Sequence, residues 1–217
     1  MHIRYLSENH SILSHFLRQI RDVEVQKDSM RFRRNIERIG EIMAYEISKE
    51  LDYSPIQIKT PLGVKNTSEI ENDIVLCSIL RAGLPLHNGF MNYFDDAQNG
   101  FISAYRHHFN NDDEFEIKVE YKAMPSIQGK TLIIVDPMLA TGQSLAAVIE
   151  VLLKSETPDN VHIAAVIAAP EGVDFIEKIL PDNFYLWIAA QDDRLNEKNY
   201  IVPGLGDAGD LAYGPKL

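Results

Sequence analysis

Four predominantly apolar runs, at 74–80, 131–135, 161–169 and 184–190, govern what this chain can fold into. A strand with one face in water alternates apolar and polar residues, whereas a near-continuous run belongs to a strand buried on both faces. Such strands pair in parallel, and parallel neighbours need long crossovers, usually helices, which cover the two faces. The intervening sequence supplies them. Beyond residue 142, Leu145, Val148, Ile149 and Leu152 recur at three- and four-residue spacings, and 172–180 reads as a further helix. Upstream, Phe32, Ile36, Ile39, Met43, Ile47 and Leu51 trace one stripe of an amphipathic helix over 31–51. Segments 55–60 and 100–105 are predicted strands, the first ended by Pro61 and Gly63. No repeat or low-complexity linker divides the chain. The expectation is an α/β fold in a single domain spanning 1–217, a mainly parallel sheet flanked by helices, with an N-terminal helical layer.

Composition narrows the function classes. No apolar run approaches the roughly 20 residues that cross a bilayer, and residues 1–8 lack the basic and apolar pattern of a signal peptide. The one cysteine, Cys77, sits mid-strand among apolar neighbours and reads as inert core; a cytoplasmic address is expected. Trp187 reads as core as well. Twenty-one basic residues against 32 acidic ones give a net charge of −11, which disfavours a polyanionic partner. The densest basic cluster, Arg31, Arg33, Arg34 and Arg38, has near-helical spacing and reads as a solvated or inter-subunit helix face. Neither nucleic acid nor membrane is expected as a partner.

Ligands of open parallel sheets bind beyond the carboxyl ends of the strands. At one such end stands Val135-Asp136-Pro137-Met138-Leu139-Ala140-Thr141-Gly142-Gln143-Ser144. A strand delivers an acid, and a short loop with hydroxylated residues and a glycine opens a helix whose first N–H groups favour a phosphate. Asp136 can accept hydrogen bonds from the vicinal hydroxyls of a ribose. The loop is not a nucleoside-triphosphate P-loop, for it lacks the Gly-Lys-[Ser/Thr] ending, and none of the four core strands runs directly into Gly-x-Gly-x-x-Gly. Arg81 follows another core strand, where its fork suits a pyrophosphate. His107 and His108 beside Asp112 and Asp113 invite a metal reading, but adjacent residues of an extended segment point to opposite faces.

The segment 136–144 resembles the phosphoribosyl-pyrophosphate loop of the type I phosphoribosyltransferases, in the Pro-Met-Leu form of the uracil phosphoribosyltransferases. Residues 200–210, Tyr-Ile-Val-Pro-Gly-Leu-Gly-Asp-Ala-Gly-Asp, are similar to the uracil-binding segment of that family, and 79–84 and Tyr105-Arg106 match two further segments in the right order. The helix stripe at 39–51 and Lys59-Thr60-Pro61 extend the resemblance over nearly the whole chain. Two departures stand out. Gln143 replaces the second glycine of the usual Thr-Gly-Gly-Ser, and Leu211-Ala212-Tyr213-Gly214-Pro215 stands where a basic residue, an aromatic, Gly and Thr are usual, which removes a cation at Leu211 and a hydroxyl at Pro215.

The resemblance implies transfer of ribose 5-phosphate from phosphoribosyl pyrophosphate to uracil, giving UMP and pyrophosphate, with Mg2+, in a homo-oligomer whose C-terminal hood covers the base. It implies a phosphoribosyl-pyrophosphate site made of Arg81, Arg106, Asp136, Pro137, Met138, Leu139, Ala140, Thr141, Gly142, Gln143, Ser144 and Asp207. Ile201, Gly206, Asp207 and Ala208 would read the base, largely through main-chain groups. Asp136, Asp207 and Arg106 would act in catalysis. The departures leave two alternatives open: a non-catalytic sensor of phosphoribosyl pyrophosphate or nucleotides, or the same reaction on another base.

Overall fold

The computed structural model describes residues 1–108 and 115–216, the side chains of 105–108 and 115–118 excepted. A short strand β1 (His2–Tyr5) and two helices, α1 (Ile12–Arg21) and α2 (Ser29–Ser48), precede a hairpin of β2 (Tyr53–Thr60) and β3 (Gly63–Ile70). Strand β4 (Ile74–Leu80) leads through α3 (Leu84–Met91) to β5 (Gln98–His108) and β6 (Phe115–Ala123). Alternation resumes with β7 (Thr131–Leu139), α4 (Gln143–Leu153), β8 (Asn160–Ala168), α5 (Pro170–Ile179) and β9 (Phe184–Gln191). A ribbon of β10 (Arg194–Leu195) and β11 (Ile201–Val202), then α6 (Ala208–Tyr213), follow.

Seven strands form one sheet in the order β1-β9-β8-β7-β4-β5-β6, parallel except for β6, which runs antiparallel to β5. The four apolar runs are its centre. Successive side chains of β7 divide between the two faces: Ile133 and Val135 join the core under α1, α2, α3 and α6, while Leu132 and Ile134 join the core under α4 and α5. All four are fully buried, each worth roughly 1.5–3 kcal/mol in removal from water. Cys77 is inert core, its thiol pushed up to about 12 by burial. Trp187 is core too, and its indole N–H donates to Nδ1 of His162 at 3.1 Å.

The elements that patterning does not reveal have particular reasons. Every residue of β3 is exposed, so no hydrophobic alternation marks it; its register comes from backbone pairing with β2. Helix α3 has eight residues, too few for its period to show. Leu13, Leu17 and Ile20 do carry helical spacing, and they are the buried face of α1. Strand β7 runs past Val135 to Leu139, because β8 is long enough to pair with it as far as Ala168. The basic cluster of α2 ties the helical layer together: Arg33 donates to the carbonyl of Ala212, Arg38 lies over the Phe16 ring, and Arg31 and Arg34 pair with Asp28 and Glu37.

One buried ion pair fixes the chain after β9. Arg21 of α1 grips Asp192 with both Nη atoms, at 2.8 and 2.6 Å, and donates to the Gly204 carbonyl at 3.0 Å. The same carboxylate accepts from the Gly204 N–H at 2.9 Å. Removing one partner of such a pair strands the other charge, at a cost of about 3–5 kcal/mol. The Arg21 side chain keeps 22% of its exposure, so the lower end applies. Arg21→Ala is expected to lower unfolding free energy by about 3 kcal/mol in a denaturant titration; a loss below about 1 kcal/mol would contradict this role.

Candidate active site

Strand β4 crosses over toward β5 on one side, and β7 toward β8 on the other. Their adjacent carboxyl ends are therefore the switch point of the sheet, where diverging connections leave a crevice. A cleft of about 270 Å³ opens there, lined by Leu80 to Ala82 beyond β4, by the end of β7 and the first turn of α4, and by Asp207 to Gly209 at the start of α6.

Asp136 stands on β7 where the strand meets this cleft. Its Oδ1 accepts one long bond, 3.4 Å, from the Met138 N–H. A carboxylate withdrawn from water with so little compensation binds its proton more tightly, and burial pushes the Asp136 carboxyl up to about 7. Donors arriving with a ligand would complete its hydrogen bonding. Gly142 takes φ +80° at the N-cap of α4, in the left-handed region; a Cβ there would meet Phe175 and Ile176 of α5 at 2.9 and 3.0 Å. Gly142 has no side chain with which to cap α4; the Thr141 hydroxyl accepts one long bond, 3.4 Å, from the Gln143 N–H, and Thr141, Ser144 and Leu145 at the first turn line the cleft. That end of the helix faces the cavity with its amide groups, an arrangement that suits a phosphate.

Arg81 enters from β4, after a cis Leu80–Arg81 peptide. Its Nη2 donates to Oδ1 of Asp210 at 3.2 Å and to the Gly214 carbonyl at 3.3 Å, while Nε is buried and without a partner among the described residues. Asp207 caps α6, its Oδ1 accepting from the Asp210 N–H at 2.9 Å. The first residues of α6 are thereby held against the arginine. Gly206, at φ +94°, makes the turn that brings Asp207 to Gly209 to the cleft and does not itself line it.

The cleft brings together Arg81, Asp136, Met138, Leu139, Ala140, Thr141, Gly142, Ser144, Asp207 and Ala208. Pro137 is instead buried within β7, and Ile201 is buried in β11 among the helical-layer core. Gln143 lines a groove between α4 and α5 with Phe175 and Ile179. The side chain of Arg106, and with it the His107–His108 and Asp112–Asp113 pairs, lies outside the described residues. Gly209, from the segment read as binding the base, lines the cleft too, as do Ala104 and Lys216, which no sequence motif points to.

The uracil phosphoribosyltransferase family model matches residues 7–215. The chain belongs to the uracil phosphoribosyltransferase family. A uracil phosphoribosyltransferase of Porphyromonas gingivalis is 51% identical over 217 residues, covering all of both chains. One from Methanococcus vannielii is 38% identical, over 97% of this chain and 89% of that protein. The solved structure of the AQ2163 protein from Aquifex aeolicus has a TM-score of 0.86 at 32% identity and covers 98% of each chain. Two of the departures from the usual pattern of the uracil phosphoribosyltransferases fall away from the cavity. Gln143 faces the α4–α5 groove, and Leu211 packs, partly buried, against the helical-layer core.

The raised Asp136 pKa has a consequence for stability. Its contribution is fully present below the ordinary carboxylate value near 3.8 and is lost as pH rises to about 7, since folding then holds a charge away from water. Asp136→Asn is expected to unfold a few degrees higher than the parent at pH 8, with little difference at pH 4. Parallel thermal melts at the two values check this; an equal shift at both would contradict it.

Proposed function

We propose that the chain transfers ribose 5-phosphate from phosphoribosyl pyrophosphate to uracil, forming UMP and releasing pyrophosphate. The observation that carries this reading is the meeting, around one cleft, of the α4 N-terminus, Asp136, Arg81 and the main chain of Asp207–Ala208. Each answers one demand of the reaction. The 5′-phosphate seats on the first turn of α4 with the Thr141 hydroxyl, and Asp136 accepts from the ribose hydroxyls. Arg81, with Arg106, takes the pyrophosphate. Main-chain groups of 206–208 read the polar edge of the base.

As the bond from C1′ to the pyrophosphate breaks and the bond to uracil N1 forms, positive charge grows on the ribose ring. Asp136 and Asp207 are the carboxylates placed to offset it. Among the described residues no three acidic, His or Cys side chains converge as a metal cage. Magnesium suits this cleft as part of the substrate, held chiefly by phosphate oxygens and its own waters, with the carboxylates as outer partners. We place this activity in the cytoplasm, in a homo-oligomer of single-domain chains. Among the described residues no helix is long and apolar enough to cross a membrane.

The test is pyrophosphate release with magnesium, phosphoribosyl pyrophosphate and each free base in turn. Release with uracil alone is expected. Release with a different base would move the substrate assignment, and binding of phosphoribosyl pyrophosphate without release for any base would favour a sensor. Thr141→Ala should weaken phosphoribosyl-pyrophosphate binding by about 1.5–3 kcal/mol, the worth of a hydrogen bond to a charged group, with a much smaller change in unfolding free energy. Unchanged affinity in a calorimetric titration would remove the phosphate from this loop.

A further inference from the structure

Among the described residues, few cations line the cleft for a substrate as anionic as the one proposed. Asp136 and Asp207 line it, and Asp210 takes up one side of Arg81. Apart from Arg106, whose side chain lies outside the described residues, a diphosphate entering there meets one partly committed arginine and two carboxylates. The other cation lining the cleft among the described residues is Lys216, beyond α6.

Its position follows from the local chain. Helix α6 ends at Gly214, whose N–H donates to the Asp210 carbonyl at 2.8 Å and whose φ of +85° turns the chain out of the helix. The Gly214 carbonyl accepts from Arg81, which anchors the tail to the arginine. Pro215 then restricts the backbone, with φ near −65°. Two residues span at most about 7 Å, so the backbone of Lys216 starts close to the anchor. Among the described residues it makes no ion pair or hydrogen bond. An unpaired ammonium facing a cleft, in a chain of net charge −11, is available to an anion.

We propose that Lys216 is a substrate-binding residue for the pyrophosphate group, and that the tail anchored on Arg81 serves to deliver it. The inference rests on the phosphoribosyltransferase reading and assigns a residue that the loop and strand-end motifs do not include. It also separates the two anionic ends of the substrate. The 5′-phosphate belongs to α4, whereas Lys216 belongs with Arg81.

The experiment is calorimetric titration of the full chain and of Lys216→Ala and Lys216→Arg with magnesium pyrophosphate, magnesium phosphoribosyl pyrophosphate and UMP. UMP carries the 5′-phosphate and no pyrophosphate. Lys216→Ala is expected to bind the two diphosphate ligands about tenfold more weakly, the scale of one charge-assisted contact. UMP affinity and the unfolding midpoint should stay unchanged, and Lys216→Arg should recover most of the loss. In steady state the KM for phosphoribosyl pyrophosphate should rise more than kcat falls. Undiminished diphosphate affinity, or an equal loss for UMP, would overturn the role of Lys216 while leaving the enzymatic reading intact. A parent chain that binds neither phosphoribosyl pyrophosphate nor UMP would overturn that reading and this inference with it.

Discussion

Burial of β7 on both faces sets the terms for everything at the carboxyl edge of the sheet. Up to Val135 the strand is withdrawn from water, and the next residue is a carboxylate. A charge in that place costs stability unless the structure opens beside it, and here it opens into the cleft between β4 and β7. Among the described residues Asp136 accepts one hydrogen bond, at 3.4 Å, which leaves acceptor capacity at the cleft wall. Groups left short of partners at a cavity wall are the ones a ligand can complete, and their cost to the free protein is the usual counterpart of a prepared site.

The second element of the site is the segment that crosses above the sheet after β9. It has little secondary structure to hold it, and its position comes from discrete contacts. Arg21, Asp192 and Gly204 pin its base to α1, Asp207 caps α6, and Arg81 grips Asp210 and Gly214. The segment proposed to read the base and the arginine proposed to hold the leaving group are thus in direct contact.

What the sequence shows of this arrangement follows from the physics of each part. The central strands are legible because a strand buried on both faces admits no polar alternation, and the loop of 136–144 is legible because acid, hydroxyls and glycine are consecutive. Arg81 is found by its place directly after a core strand. The exposed β3 has no pattern to read, and a cis peptide before Arg81 cannot be anticipated where no proline follows. The Arg21–Asp192 pair joins residues 171 positions apart, so neither shows a local pattern. Gln143 illustrates the converse: within the loop it reads as a change to the phosphate site, whereas the turn into α4 points it at the groove beside α5. Lys216 escapes notice because only the anchored tail brings it to the cleft.

The central claim is that one cleft holds a phosphate at α4 and a pyrimidine at the main chain of 206–208, on either side of Asp136. A crystal structure of the chain with UMP tests it most directly. The account predicts the 5′-phosphate within hydrogen-bond distance of Thr141 and Ser144, the ribose hydroxyls on Asp136, and the edge of the ring against Gly206 to Ala208. A nucleotide bound in reverse, with its base at α4, or bound away from the carboxyl ends of β4 and β7, would contradict it.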